Sequence, residues 1–490
     1  MPKKKYVIIQ TNIHKKEKQP LSLPQQYKHV HFVGIGGYGM SALAFILLDQ
    51  GYMVSGSDIK ENSLTTALKD KGAKVYIGHS AANLGSADLV IYSTAIAKDN
   101  AELDQAARRS LPLWHRSELL AALLNSAFGI AIAGAHGKTT TTAMAALLLE
   151  AGGLDPTAII GGVFPAYGSN ARLGSSPYLV AEADESDSSF TRYYPRLGLV
   201  TGMEPDHLEH YSNDYNRLRE AYKTFLSRIQ PGDAAILCAD DLCLVELGAQ
   251  IKANKIWYST AKEYLAADLT AGDPLYTARN TSLNPDSSTF DLYRDESLLV
   301  PAVRVGVPGK HNVSNAVGAL TVAASLGLDP AACAPALADF HGVGRRFELI
   351  GEVNGITVID DYAHHPTEVR ATLESAALAG RRVLCLFQPH RYSRTGNLFE
   401  QFASAFDQAD RLYLHAVYPA GEKPLPGATA DALAARIREL NPRLAVCQDD
   451  NINALEAAIA ADAKPGDLII TMGAGDVTYA APRILALLKK

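Results

Sequence analysis

Three times in 490 residues this chain sets a short apolar run before a glycine-bearing turn and a helical pattern, and that repeated start constrains the fold more than anything else in it. The first start covers 31–39 and the second 128–142; the third follows Gly342-Val343-Gly344, where the chain enters 347–360 and continues as strand–helix units to its end. Strand and helix patterns that alternate in this way build parallel sheets covered by helices. The expectation is an α/β protein with a basic tail over 1–27 and domains over 28–127, 128–342 and 343–490. Residues 261–307 break the alternation. There Thr, Ser, Asn and Asp separate short alternating runs such as 298–305, which read as antiparallel strands and loops appended to the middle domain.

The length exceeds what one ordinary core serves, so several domains are expected. Hydrophobic residues at 47% and charged residues at 20% are globular proportions, and a net charge of -6 gives no overall attraction to nucleic acid. Lys3, Lys4, Lys5, Lys15, Lys16 and Lys18 cluster before Pro20 and read as a solvated terminus. The apolar stretch 6–9 is too short for a signal-peptide core, and no run approaches ~20 apolar residues, so a cytoplasmic chain that does not enter the membrane is expected. Cys238, Cys243, Cys333, Cys385 and Cys447 are scattered and odd in number, which suggests neither a disulfide framework nor a zinc site. Cys385 lies in the apolar run 383–387 and reads as core.

The first chemical motif is Gly34-Ile35-Gly36-Gly37-Tyr38-Gly39 between a short strand (31–33) and an apolar helix (40–48), followed by a strand at 53–55 that ends near Asp58. Glycines there permit a tight turn and let backbone N–H groups approach a diphosphate. Alone, the motif also fits a nicotinamide dehydrogenase or a purely structural turn. The second is Gly134-Ala135-His136-Gly137-Lys138-Thr139-Thr140-Thr141-Thr142, after the run 129–133 and before a helix at 143–150. Backbone donors and Lys138 suit a triphosphate, and Thr139 suits its magnesium ion. A dehydrogenase has no use for such a loop, so hydride transfer recedes.

Acidic residues come third. Ala181-Glu182-Ala183-Asp184-Glu185-Ser186-Asp187 follows the strand 178–180, and Glu204-Pro205-Asp206-His207 follows the strand 197–201. Strand ends in a parallel sheet converge, so these groups can hold magnesium against a γ-phosphate; each alone could equally be a solvated turn or a helix cap. Gly309-Lys310-His311-Asn312-Val313-Ser314-Asn315 opens a helix on which Asn312 and Asn315 share a face, as adenine readers or as ordinary caps. In the last third, Gly344-Arg345-Arg346-Phe347 precedes Asp360-Asp361-Tyr362-Ala363-His364-His365-Pro366-Thr367-Glu368. The strand 383–387 then runs into Gln388-Pro389-His390-Arg391-Tyr392-Ser393-Arg394-Thr395. Two arginines and a histidine after a strand make a carboxylate pocket, or else a solvated basic loop.

In this order and wording the motifs resemble the Mur ligases of peptidoglycan synthesis, with FQPHRYSRT and DDYAHHPTE the most specific pairing. The resemblance runs from His31 to Asp476 and is nearest to the alanine-adding branch. It implies a Rossmann-like domain for a UDP-sugar, a central P-loop ATPase domain with a mostly parallel sheet, and a Rossmann-like domain for an amino acid. The implied reaction is ATP-dependent attachment of L-alanine to UDP-N-acetylmuramate. Carried over by position, Gly34, Gly36, Gly37, Gly39, Asp58 and His79 would serve the UDP-sugar. Gly134, Ala135, His136, Gly137, Lys138, Thr139 and Thr140, with Asn312, Asn315 and Arg345, would serve ATP. Lys138, Glu182 and His207 would be catalytic, with Thr139, Glu182 and His207 supporting Mg2+. Tyr362, His364, His390, Arg391 and Arg394 would receive the amino acid. Ala135 stands where the family usually has Thr, and Gly202 where it usually has Asn. A sibling ligase, including one that recycles a tripeptide, and a non-catalytic UDP-sugar sensor stay open, and nothing in the sequence sets a monomer or a dimer.

Overall fold

Each strand–glycine–helix start seeds a separate sheet. The computed structural model describes residues 23, 26–261, 269 and 272–489, so the lysine cluster of the tail lies outside the described residues. The chain divides into two compact units, Met1–Asn280 with Phe290–Arg304 and Ser314–Asp339, and Thr281–Thr289 with Val305–Val313 and Phe340–Lys490.

The first unit carries two sheets. Strands β1 (His29–Val33), β2 (Met53–Asp58), β3 (Lys74–Ile77), β4 (Leu89–Tyr92) and β5 (Leu113–His115) form an all-parallel sheet in the order β3-β2-β1-β4-β5. The central strand β1 lies where the strand order reverses, so the loop at its C-terminal end opens into a crevice. The larger sheet has β6 (Phe128–Ala133), β7 (Thr157–Phe164), β8 (Ser169–Arg172), β9 (Tyr178–Glu182), β10 (Leu197–Val200), β11 (Ala234–Cys238), β12 (Asn254–Ser259), β13 (Leu275–Leu283), β14 (Ser288–Arg294) and β15 (Ser297–Val305). Its order is β15-β14-β13-β12-β11-β10-β6-β9-β7-β8, with β6 parallel to β9 and β10 and fully buried. Short turns join β13 to β14 and β14 to β15, as hairpin neighbours require. These strands extend the sheet beyond β12, with β13 parallel to it.

The second unit holds β16 (Glu348–Val353), β17 (Ile356–Asp361), β18 (Val383–Phe387), β19 (Arg411–His415), β20 (Ala445–Asp449) and β21 (Leu468–Met472), in the order β16-β17-β21-β18-β19-β20. Along β18 the side chains alternate between two cores: Val383, Cys385 and Phe387 on one face, Leu384 and Leu386 on the other. Cys385 is core, as its apolar run suggests. The stretch 347–360 is not one strand. It turns at Asn354-Gly355, both at positive φ (51° and 76°), into the antiparallel pair β16/β17. An Asn-Gly between apolar runs is a strong hairpin signal.

Helix starts also differ from the sequence reading. The helix after β6 is Lys138–Ala151, so the four threonines lie inside it. Thr142 Oγ1 donates back to the Lys138 carbonyl at 2.8 Å, which satisfies a hydroxyl that would otherwise compete with the helix.

One buried carboxylate ties the N-terminal sheet together. Glu102, fully buried in the helix Ala101–Arg108, accepts from Ser57 Oγ at 2.5 Å, Asn83 Nδ2 at 2.6 Å and Ser80 N at 3.1 Å, with His31 Nε2 at 3.5 Å. Burial alone would push its carboxyl up, but hydrogen bonds from His31, Ser57, Asn83 and Ser80 hold it down at about 2. Its contribution to folding is therefore complete above its ordinary value of 4.5 and is lost as the pH falls toward about 2. Glu102→Gln should lower stability near neutral pH by on the order of 1–3 kcal/mol and flatten the acid side of the stability profile. Denaturant titrations from pH 7 to pH 3 check this, and parallel profiles for variant and wild type would refute it.

Candidate active site

The loop after β1 is built to be tight. Gly34 sits at φ +84°, and a Cβ on Gly36 would come within 2.9 Å of Asp58 Oδ2 and 2.8 Å of Asn62 Nδ2. Asp58 Oδ2 accepts from Gly36 N at 2.8 Å and Asn62 Nδ2 donates to Gly36 O at 3.1 Å, so Asp58 at the end of β2 braces the loop. The helix Tyr38–Asp49 starts at Gly37 with no side-chain cap, which suits an anion at its first turn. His79 lies nearby, its Nδ1 2.9 Å from Ser57 Oγ and 3.5 Å from Glu102 Oε2.

Gly134 (φ +132°) and Gly137 (φ +80°) shape the loop after β6. A Cβ on Gly134 would fall 2.0 Å from Thr201 Oγ1, and one on Gly137 would fall 2.3 Å from Asn315 Oδ1. Asn315 Oδ1 also accepts from Thr141 Oγ1 at 3.2 Å, so this amide buttresses the loop from outside. Ala135 contributes backbone, its N–H donating to Gly202 O at 2.9 Å, and His136 Nε2 lies 3.4 Å from Glu204 Oε2. Thr140 is buried behind them in the helix's first turn.

Lys138 is the charged centre. Its Nζ donates to Gly134 O at 2.6 Å and Ala135 O at 3.2 Å and pairs with Glu185 Oε1 at 2.8 Å. Burial would push the ammonium down, but Glu185, Glu182 and Asp184 hold it well above the usual lysine range. Burial in turn pushes the Glu185 carboxyl up against the pull of Lys138. Thr139 Oγ1 donates to Glu182 Oε2 at 2.8 Å, and a Cβ on Gly161 would lie only 2.2 Å from that oxygen. His207, on the loop after β10 at φ +55°, has Nε2 3.5 Å from Asp206 Oδ2. A Cβ built on Gly202 would meet Asp241 Oδ2 at an ordinary contact distance of 3.6 Å.

Two participants escaped the sequence reading. Glu185 sat within the acidic motif, but nothing in its spacing marked it as the partner of Lys138. Arg116 opens the helix Arg116–Ser126 after β5 and pairs through Nη2 with Asp184 Oδ2 at 2.7 Å and Asp187 Oδ2 at 3.6 Å. No motif surrounds it.

In the second unit the loops after β17 and β18 bring the other candidates together. Arg345 Nε pairs with Asp360 Oδ2 at 2.7 Å, Nη2 donates to Gly473 O at 2.7 Å, and the guanidinium lies 5.1 Å from the Tyr362 ring. Arg346 lies 5.2 Å from the same ring. Tyr362 meets His364 edge-on at 5.0 Å, and His364 meets His390 at 6.0 Å. His390 stacks on Tyr418 at 5.5 Å with 9° between planes, and Arg394 Nη1 is 3.4 Å from His390 Nδ1. Arg391, at φ +70°, has Nη1 3.9 Å from Glu422 Oε1. His364 Nδ1 lies 2.9 Å from Tyr362 O and 3.2 Å from Glu368 Oε2. The result is a cationic, aromatic-walled cluster suited to a small carboxylate. Asn312, also in this unit, is buried and donates through Nδ2 to Pro308 O at 2.7 Å, a turn-holding bond.

Three family models match the chain: "Mur ligase family, catalytic domain" over residues 29–127, "Mur ligase middle domain" over 132–323, and "Mur ligase, glutamate ligase domain" over 345–475. The UDP-N-acetylmuramate–L-alanine ligase of Anaeromyxobacter dehalogenans is 44% identical over 464 residues, 94% of this chain and 98% of that protein. That of Pelotomaculum thermopropionicum is 45% identical with the same coverage. Among solved structures, the UDP-N-acetylmuramate–alanine ligase of Thermotoga maritima superposes with a TM-score of 0.79 at 29% identity, covering 94% of this chain and 99% of that one. A murein peptide ligase from Psychrobacter arcticus gives 0.69 at 27% identity, covering 94% and 98%. With all three family models matched in order and these identities along nearly the whole length, the chain belongs to the Mur ligase family.

Proposed function

We propose that this chain joins L-alanine to UDP-N-acetylmuramate with hydrolysis of ATP to ADP and phosphate, in the cytoplasm. The observation that carries the reading is the loop after β6, where a buried, charged Lys138 and the Thr139–Glu182 pair stand at one end of the sheet. The high identity to two alanine ligases along almost the whole chain supports the choice of amino acid.

Forming an amide from a carboxylate in water is uphill, so the carboxylate is first activated. The lactyl carboxylate of the sugar attacks the γ-phosphorus in line, and an acyl phosphate forms as ADP leaves. Lys138 offsets charge on the transferred phosphoryl group, and the backbone N–H groups of 134–139 orient the phosphates. The Thr139 hydroxyl and Glu182 carboxylate, packed under Gly161, are hard oxygen donors that fit Mg2+, with His207 as a supporting group. Bound there, the ion would neutralise charge on the phosphate oxygens. The amine of alanine attacks the acyl carbon, and the tetrahedral intermediate expels phosphate. His390, Arg391 and Arg394 hold the amino acid's carboxylate so that its amine is presented.

A phosphate-release assay with UDP-N-acetylmuramate and a panel of amino acids tests the proposal. The likeness to a murein peptide ligase makes a tripeptide the informative competitor, and preference for it over alanine would move the chain to that activity.

Five substitutions follow from these roles. Lys138→Ala should cut phosphate release by ~100-fold or more while UDP-N-acetylmuramate still binds; near-normal release would sink the assignment of the loop to ATP. Glu182→Gln and His207→Ala should each raise the magnesium concentration needed for half-maximal rate, and titrations that match wild type in both would remove the metal role. Arg391→Lys and Arg394→Lys should mainly raise the KM for alanine, because a lysine cannot reproduce the planar fork. A raised ATP KM with an unchanged alanine KM would show these arginines to be nucleotide ligands instead.

A further inference from the structure

A lysine ammonium has three hydrogens to give, and in the loop after β6 the protein takes all three. Lys138 Nζ donates to Gly134 O at 2.6 Å, to Ala135 O at 3.2 Å and to Glu185 Oε1 at 2.8 Å. The lysine and glutamate side chains keep only 12% and 3% of their surface exposed, so the pair is largely shut away from water. Any phosphate oxygen that Lys138 is to hold must displace a partner it already has. Of the three, Glu185 is the one whose charge a phosphate opposes.

The groups around Glu185 decide what that exchange costs. Its second oxygen, Oε2, is buried with no hydrogen-bond partner among the described residues. Asp184, next to it in the loop, turns to Arg116 at 2.7 Å, and Glu182 at the end of β9 turns to Thr139 at 2.8 Å. From the turn Leu208–Tyr211, the Tyr211 hydroxyl donates to the Glu185 carbonyl rather than to its side chain. Tyr222, on the helix Tyr215–Ser227, is fully buried. Burial pushes both phenols up, so both face Glu185 neutral. Lys138 is thus the cation that balances Glu185. A carboxylate deprived of it would stand buried and bare beside an arriving polyanion, and taking a proton removes that charge. Burial lifts Glu185 to about 7 even with Lys138 in place, and losing the lysine can only lift it further.

Resting on the reading of this loop as the ATP site, we propose that Glu185 is a positioning residue for Lys138, which holds the ammonium until nucleotide arrives and yields it to the phosphates by taking one proton from solvent. One O–H bond forms on Glu185, its hydrogen bond from Nζ is given up, and Lys138 keeps all its protons. The loop therefore becomes more positive by one charge as the phosphates enter. The sign of the pH dependence follows. Above about 7 Glu185 is charged before nucleotide arrives, so binding imports a proton and weakens as the pH rises. At lower pH the carboxyl is already neutral and the dependence levels off.

The test is isothermal titration calorimetry of ADP and of a non-hydrolysable ATP analogue, each with magnesium, on wild type and Glu185→Gln. Titrations run from about pH 6.5 to about pH 8.5 in two buffers of different ionisation enthalpy. Glutamine still accepts from Nζ but cannot take up a proton, and comparison with it removes the nucleotide's own ionisation. Wild type should take up close to one proton near pH 8, and its affinity should fall by ~10-fold per pH unit above about 7.5. Glu185→Gln should take up none, vary by less than ~2-fold over the same range, and bind more tightly than wild type at the alkaline end. A merely structural role for Glu185 predicts the reverse, weaker binding by the variant at every pH. Wild-type heats that do not depend on the buffer, parallel pH profiles, or weaker binding by the variant at the alkaline end would each overturn the proposal. Should Glu185→Gln fold poorly, the buffer dependence of wild type decides alone. Failure of wild type to bind either nucleotide would remove the ATP reading and this proposal together, whereas binding without proton uptake removes only the exchange at Glu185.

Discussion

A lysine ammonium removed from water must be surrounded by oxygen, and much of the first unit is arranged to meet that demand. Lys138 receives two carbonyl oxygens of its own loop and one carboxylate oxygen of Glu185. Burying Glu185 for that purpose brings the loop after β9 against the loop after β6. Asp184, next in the chain, is then drawn into the same region, where burial opposes its charge but Arg116 and Lys138 hold its carboxyl far below the usual range. Two cations, Lys138 and Arg116, thus flank the adjacent carboxylates of Glu185 and Asp184. Removing one member of such a series costs more than the series contributes, because its neighbour stays buried and uncompensated.

The second unit handles charge in another way. Its arginines face aromatic rings as well as acids: Arg345 and Arg346 lie over Tyr362, while the histidines stack or meet rings edge-on. Guanidinium groups tolerate this because they are planar and weakly hydrated. Asp361, buried beneath the cluster, is pushed up to about 6 by burial despite the nearby Arg346 and two backbone donors.

What could be read from sequence follows from how local each signal is. The glycine loops were legible because a turn at positive φ favours glycine, whatever lies around it. The buried strand β18 was legible because 383–387 is apolar throughout. The β16/β17 hairpin was missed even though Asn354-Gly355 marks it, because apolar residues on both sides made 347–360 look continuous. Thr139–Thr142 were placed ahead of their helix on propensity, and tertiary packing with a back-bonded hydroxyl overrode that preference. Arg116 and Glu102 could not be found at all. One acts across 68 residues and the other across 71, and no local pattern records such distances.

The amide of Asn315 that props Gly137 and Thr141 arrives late. It lies 174 residues beyond Thr141, so a growing chain carries the phosphate loop long before the group that supports it. At roughly 5–20 residues per second that interval is ~10–35 s of synthesis. During it the central strands can pair while the loop lacks its outer wall, and a ribosome-bound fragment ending before the helix Lys310–Ser325 has the motif without the finished cradle. The cradle is thereby completed only when nearly two thirds of the chain has been made.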